Sequence, residues 1–289
     1  MMFFNRFRVQ LGTITGAGAV LALFSLLAKG VGLLRDRILV AHFGASPTLD
    51  IYYSAFKIPD FVFNLLVLGA ASSAFIPVFL EHYQRERGEG WRLAQNVLTV
   101  MFLAVCIVSV AVAIAAEPFS RLIAPGFSPR DTALLANVLR IMLVSTVLFS
   151  VSTVLGGVLQ SLERFVAYSV APILYSFGII AGALWFSPWV VARGGHEVYG
   201  LALGVVAGAA LHTVLQLIAA VRAGFRLRWV TDLLHTGFLT VVRLAVPRTL
   251  ALGVYSVGVV VINAIASTLG SGAITILNIA TNLQFVPIS

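Results

Sequence analysis

Charge is the scarcest property of this chain. Only 10% of its 289 residues are Asp, Glu, Lys or Arg, against roughly a quarter in a soluble domain, and the mean hydropathy is +1.00. That deficit excludes an ordinary water-soluble globule. Cysteine is nearly absent too: Cys106, alone in the apolar run LAVCIVSV, excludes an intrachain disulfide and reads as a buried thiol. The signatures of chemistry are missing. There is no HExxH, no GxSxG, no P-loop and no Cys/His ligand cluster, and the five histidines, His42, His82, His196, His212 and His235, are scattered. Glu81 beside His82 reads as a solvated helix end rather than an acid/base pair. The expectation is a non-enzyme without cofactor or metal. No soluble basic domain or aromatic platform accompanies the net charge of +8, so nucleic acid is not the expected partner. Membrane topology and anionic lipid are.

What the chain has instead is a succession of apolar runs of about 20 residues, enough for a helix to cross roughly 30 Å of hydrocarbon. The runs are solid rather than alternating, which excludes a transmembrane β-barrel. An all-α polytopic membrane protein is expected, with about eight helices at 14–41, 52–83, 93–116, 132–160, 165–187, 198–221, 238–269 and 272–289. Ser128, Pro129 and Asp131 supply an N-cap, an N1 proline and a first-turn acid that launch the fourth helix. MMFFNRFR and the long, internally charged run after it read as a retained helix rather than a cleaved leader. Arginines in alternate loops divide unequally. Arg6, Arg8, Arg85, Arg87, Arg92, Arg164, Arg222, Arg226 and Arg228 fall on one side, and Arg121, Arg130 and Arg193 on the other, which predicts a cytoplasmic N-terminus. Trp91, in the turn QRERGEGWR, is expected at the membrane interface.

The first helix contains a contradiction. KGVGLLRDRILVAHFG places Lys29, Arg35, Asp36 and Arg37 where lipid should be. Four such charges cost roughly +10 to +14 kcal/mol on an insertion scale, against about −4 to −7 kcal/mol from the apolar residues between Val20 and Val40. This helix therefore turns a face toward other helices or water. Lys29 and Asp36, seven apart with Gly32 between, share that face, and Arg35 lies about 100° to one side. The second helix carries a matching stripe of Asp50, Tyr53, Lys57, Asp60 and Asn64, with Pro59 interrupting the backbone beside Lys57. On a structural account, Asp36 and Asp50 neutralise nearby cations and lock the two helices together. The cations exceed the acids, however, and an uncompensated positive cavity in a membrane calls for something anionic to enter it. Arg140, Arg243 and Arg248 are further cations near helix ends, with Arg248 the deepest. Thr275, Asn278, Asn282 and Ser289 form a stripe on the last segment, suited to interhelical hydrogen bonding or to lining a cavity.

GLLRDRILVAHFGASPTLDIYYSAFKIPDF followed by AFIPVFLEHY, with IAPGF, LRIML, LGGVLQSLERF, APILYSFGIIAGAL and VPRTLAL further on, resembles the MurJ (MviN) lipid II flippase family of the multidrug/oligosaccharidyl-lipid/polysaccharide exporter superfamily. The resemblance spans nearly the whole chain. It implies a transporter of about fourteen helices in two bundles around a cationic cavity. Such a transporter moves lipid-linked peptidoglycan precursor from the inner to the outer leaflet of the bacterial inner (cytoplasmic) membrane by alternating access. On that scheme residues 1–225 are a six-helix N-terminal bundle, 226–289 are the first two helices of the second, and the sequence is a fragment of a longer protein. The family's functional basic and acidic positions carry over to Lys29, Arg35 and Asp50. Diphosphate-binding candidates are thus Lys29, Arg35, Lys57, Arg37 and Arg248. Asp36, Asp50 and Asp60 are structural or gating charges, and Asn64, Asn278 and Asn282 are polar cavity residues. Phe63, Asn64 and Leu68 stand where many members have two arginines and a glutamate, and Ala280, Thr281 and Asn282 where they often have A-D-R. Implied partners are a lipid-linked anionic substrate, membrane lipids and other cell-wall synthesis proteins. The competing readings are a flippase for another polyprenyl-linked oligosaccharide and a non-transporting scaffold of cell-wall assembly.

Overall fold

The computed structural model describes residues 14–68 and 74–285, and every regular element among them is helical. The order is α1 (Ile14–Phe43), α2 (Pro47–Ala55), α3 (Lys57–Phe63), a π-helical turn (Asn64–Leu68), α4 (Phe75–Arg85), α5 (Arg87–Ile114), α6 (Ala116–Ile123) and α7 (Pro129–Ser161). There follow α8 (Phe165–Ala181), a second π-helical turn (Gly182–Phe186), α9 (Ser187–Val191), α10 (Glu197–Arg222), α11 (Thr236–Ser267) and α12 (Ala273–Phe285). Arg6, Arg8 and Ser289 lie outside the described residues.

Among the described residues five helices, Arg87–Ile114, Pro129–Ser161, Phe165–Val191, Glu197–Arg222 and Thr236–Ser267, are long and apolar enough to cross a membrane. With α1, the α2–α4 segment and α12 they make the eight expected segments. The second is not one continuous helix. Pro59 has no N–H for the Ala55 carbonyl, so the chain breaks at Phe56 and resumes as Asp60 N–H donates to Phe56 O at 2.8 Å. The Asn64 turn adds a second irregularity. At the start of α7, Ser128 Oγ accepts from Asp131 N–H at 3.2 Å, the expected cap. Helix α6 was not foreseen. Its eight residues bury Ala116, Ser120 and Ile123 and are too few to stand out from the apolar run before them.

Helices α8 and α10 approach through small residues. Gly178 and Gly182 on one side face Gly200, Gly204 and Gly208 on the other, a small-xxx-small seam that lets backbones touch. A Cβ on Gly204 would stand 2.5 Å from Gly182 Cα, so Gly204→Leu is expected to abolish folded protein. Gly258→Leu, where a Cβ meets nothing within 4 Å, should fold normally. Monodispersity in size-exclusion chromatography separates the two outcomes.

The alternating helices place residues 44–46, 124–128, 192–196 and 268–272 at one end and residues 162–164 and 223–235, with Arg85 and Arg87, at the other, arginine-rich end. Two apolar clusters fill these ends. Leu49, Tyr52, Leu135, Leu139, Met142 and Leu201 belong to the first, and Phe75, Phe79, Leu93, Val97, Leu155 and Phe225 to the second. Trp91 is half-buried among Phe79, Tyr83 and Phe225, with ring centroids 5.3 to 5.9 Å away. Cys106 is likewise half-buried rather than buried. Between α10 and α11 the chain runs extended along α5, strapped by hydrogen bonds. Gln95 Nε2 donates to Arg226 O at 2.7 Å, Asn96 exchanges two bonds with the Asp232 backbone at 2.7 and 2.8 Å, and Val230 N–H reaches Thr99 Oγ1 at 3.2 Å. The strap fixes the approach to α11 against α5.

Candidate functional site

Helix α12 lies across the polar stripes of α1 and of α2–α3, and three rungs hold it there. At its amino-terminal end the buried Asp50 carboxylate accepts from Gly272 N–H at 2.6 Å, Thr275 N–H at 2.8 Å and Thr275 Oγ1–H at 2.7 Å. Donors left open by the first turn and a favourable helix dipole both draw an acid to this place. One turn further, Lys57 Nζ donates to Asn278 Oδ1 at 2.9 Å, while Asn278 Nδ2 donates to Ile274 O at 2.8 Å. On α1, Arg35 Nε and Nη2 both bond Asp36 Oδ1, at 2.8 and 2.7 Å, and Asp36 Oδ2 accepts from Asn282 Nδ2 at 3.0 Å. The amides on α12 sit four apart, so both project from one face.

Helix α11 adds ties from the same side. Asn64 Nδ2 donates to Ser256 Oγ at 3.0 Å. Asn263 Nδ2 donates to Ile123 O at 2.9 Å and to Ser54 Oγ at 3.2 Å. Gly126 N–H donates to Ser267 Oγ at 3.0 Å, at the end opposite the arginines.

The stripes read from sequence are real, but they converge on α12. Asp36 does brace Arg35. Asp50 does not brace a cation: its oxygens are taken by the start of α12, because backbone donors there outbid a mobile side chain that would have to be held in place. Lys29 is half-buried on α1, seven residues before Asp36, and Asp60 is exposed on α3. Arg37 and Arg248 are exposed and stand outside the clasp, as do Arg140, which donates to Ala113 O and Asn137, and Arg243. Asn64 and Asn282, at positions where the family pattern often has arginine, tie the π-helical turn after α3 to Ser256 of α11 and α12 to Asp36 of α1. Ser256, Asn263 and Gly272 went unremarked in the sequence; a polar residue every several positions in α11 was the available signal. Glu81 and His82 make no catalytic pair, since His82 Nδ1 bonds Val78 O at 2.9 Å and its ring lies against His235.

A groove of about 730 Å³ opens between α3, α5, α6 and α11, lined by Ile58, Phe61, Leu65, Val108, Phe119 and Val261 among others. It is apolar and holds none of the clasp cations.

A family model described as "Lipid II flippase MurJ" matches residues 39–289. A protein named "Lipid II flippase MurJ" from Burkholderia cenocepacia is 30% identical over 290 residues, covering 98% of this chain and 54% of that protein. A "Probable lipid II flippase MurJ" from Rickettsia prowazekii is 26% identical over 282 residues, covering 96% of this chain and again 54% of the relative. The chain thus spans about half the length of the relatives it matches. Among solved structures, "Lipid II flippase MurJ, inward closed conformation" superposes with a TM-score of 0.71 at 18% identity, covering 93% of this chain and 55% of that one, a likeness of fold.

Proposed function

The chain belongs to the lipid II flippase MurJ family, and from that premise we propose that it supplies one bundle and the first two helices of the next in a flippase for a lipid-linked, diphosphate-bearing peptidoglycan precursor. Such a protein is a transporter, not an enzyme. The reading rests on one observation: Lys57 hydrogen-bonds the neutral Asn278 oxygen, while Asp60 acts on it only through space. Asp50 is committed to the start of α12, and Asp36 to Arg35 and Asn282. An incoming anion at Lys57 displaces an amide, not an acid. A charge-assisted bond from Lys57 to a phosphate oxygen is stronger than its bond to the neutral Asn278 amide, and the Arg35 fork suits a diphosphate.

The clasp also gives a means of alternation. Asp50, Asn263 and Ser267 close the seam at the end opposite the arginines. With the arginine-rich end in the cytoplasm of a bacterium, that seam is the outer gate, shut while the head group loads from within. Substrate that takes Lys57 from Asn278 removes one of the three rungs, and substrate that draws Arg35 from Asp36 loosens the carboxylate that holds Asn282, a population shift driven by differential binding.

The test is leaflet translocation. The intact protein, reconstituted in liposomes with fluorescent lipid II, is expected to carry inner-leaflet label to a membrane-impermeant quencher. Liposomes containing an Arg35→Ala, Lys57→Ala double variant should not. Equal quenching from protein-free liposomes and from the wild type would overturn the reading.

A further inference from the structure

We propose that the Tyr53 hydroxyl is a ligand-contacting donor that bonds a phosphate oxygen of the substrate head group, between Arg35 and Lys57. The inference rests on the flippase reading above and names a contact that neither the cationic stripe nor the family pattern assigns. Tyr53 belongs to the stripe of Asp50, Lys57 and Asn64. Each of those three has a partner on α11 or α12. Among the described residues Tyr53 has none: the residue is 8% exposed, and its hydroxyl oxygen is enclosed without a hydrogen bond.

A buried donor left unmade is destabilising, so a state that retains one invites an acceptor from elsewhere. The neighbourhood offers little. Tyr53 interacts electrostatically with Asp36 and Arg35, but guanidinium and ammonium groups carry no acceptor. Asp36 turns one oxygen to Arg35 and the other to Asn282. Tyr52 packs its ring edge-on to Tyr53 at 5.2 Å and fixes the ring plane. What the Tyr53 hydroxyl lacks in this arrangement is a bonded acceptor, and a diphosphate brings several.

The experiment measures binding of polyprenyl diphosphate and of the phosphate-free polyprenol to the intact protein in detergent, together with its melting temperature. Tyr53→Phe should weaken diphosphate binding about tenfold, the size of one hydrogen bond to a charged group. It should leave polyprenol binding unchanged. The melting temperature should hold or rise, because the variant deletes an unsatisfied donor. Equal diphosphate affinity in wild type and variant overturns the inference and leaves the flippase reading standing. So does a lowered melting temperature with unaltered affinity, the mark of a structural hydroxyl. A wild type that binds both lipids equally overturns the flippase reading itself.

Discussion

Asp50→Ala is expected to open the seam at the start of α12. The carboxylate is 2% exposed and carries three hydrogen bonds, two of them from backbone N–H groups that have no helical partner. Alanine leaves Gly272 and Thr275 N–H buried and unmet, and it removes the charge that the helix dipole favours. The cost to the closed arrangement is about 3 kcal/mol, or roughly a hundredfold in the ratio of closed to open. Water-filled openings would relieve it, so the loss falls on the gate rather than on the fold. A cysteine at Ile274, itself 0% exposed, placed in a Cys106→Ala background of the intact protein, reports the opening. Its labelling by a membrane-impermeant maleimide should rise more than tenfold with Asp50→Ala. Asp50→Asn, which keeps one acceptor, should fall between. Unchanged labelling would mean that Asp50 is not what holds the seam.

The contrast between Asp36 and Asp50 shows what sequence could and could not reveal. Both were legible as costly acids on polar stripes, because insertion energetics depend only on residue type and depth. The partner of Asp36 was legible as well, since Arg35 is its neighbour in the chain. The partner of Asp50 lies 222 residues away, and nothing local distinguishes a carboxylate that pairs with a cation from one that caps a distant helix. The kink at Pro59 could be read because a missing N–H acts within its own turn. The glycine seam of α8 and α10 could not be assigned, since spacing alone does not say which two helices meet. Missing arginines at Asn64 and Asn282 read as lost cavity charge, whereas the structure uses both amides as ties, to Ser256 of α11 and to Asp36 of α1.

Arg35→Ala is expected to stop transport, and the decisive comparison is with Arg35→Ala combined with Asp36→Asn. In the single variant Asp36, 8% exposed, keeps only the Asn282 bond and becomes an uncompensated buried charge, a destabilisation of about 3–5 kcal/mol. Low abundance would then confound lost transport. The double variant removes that charge while leaving an amide oxygen for Asn282. If neutralising Asp36 were the whole task of Arg35, the double variant would regain both folded protein and translocation of lipid II in liposomes. If Arg35 grips the diphosphate, abundance returns and translocation stays at least roughly thirtyfold below wild type, the loss of a charged, water-excluded bond of about 2 kcal/mol or more. Arg35→Lys, which keeps the charge but not the planar fork, should retain folding and lie between. Recovery of wild-type translocation in the double variant would reduce the most conspicuous charge pair of α1 to a structural clamp, and would shift the binding role onto Lys57 and Lys29 alone.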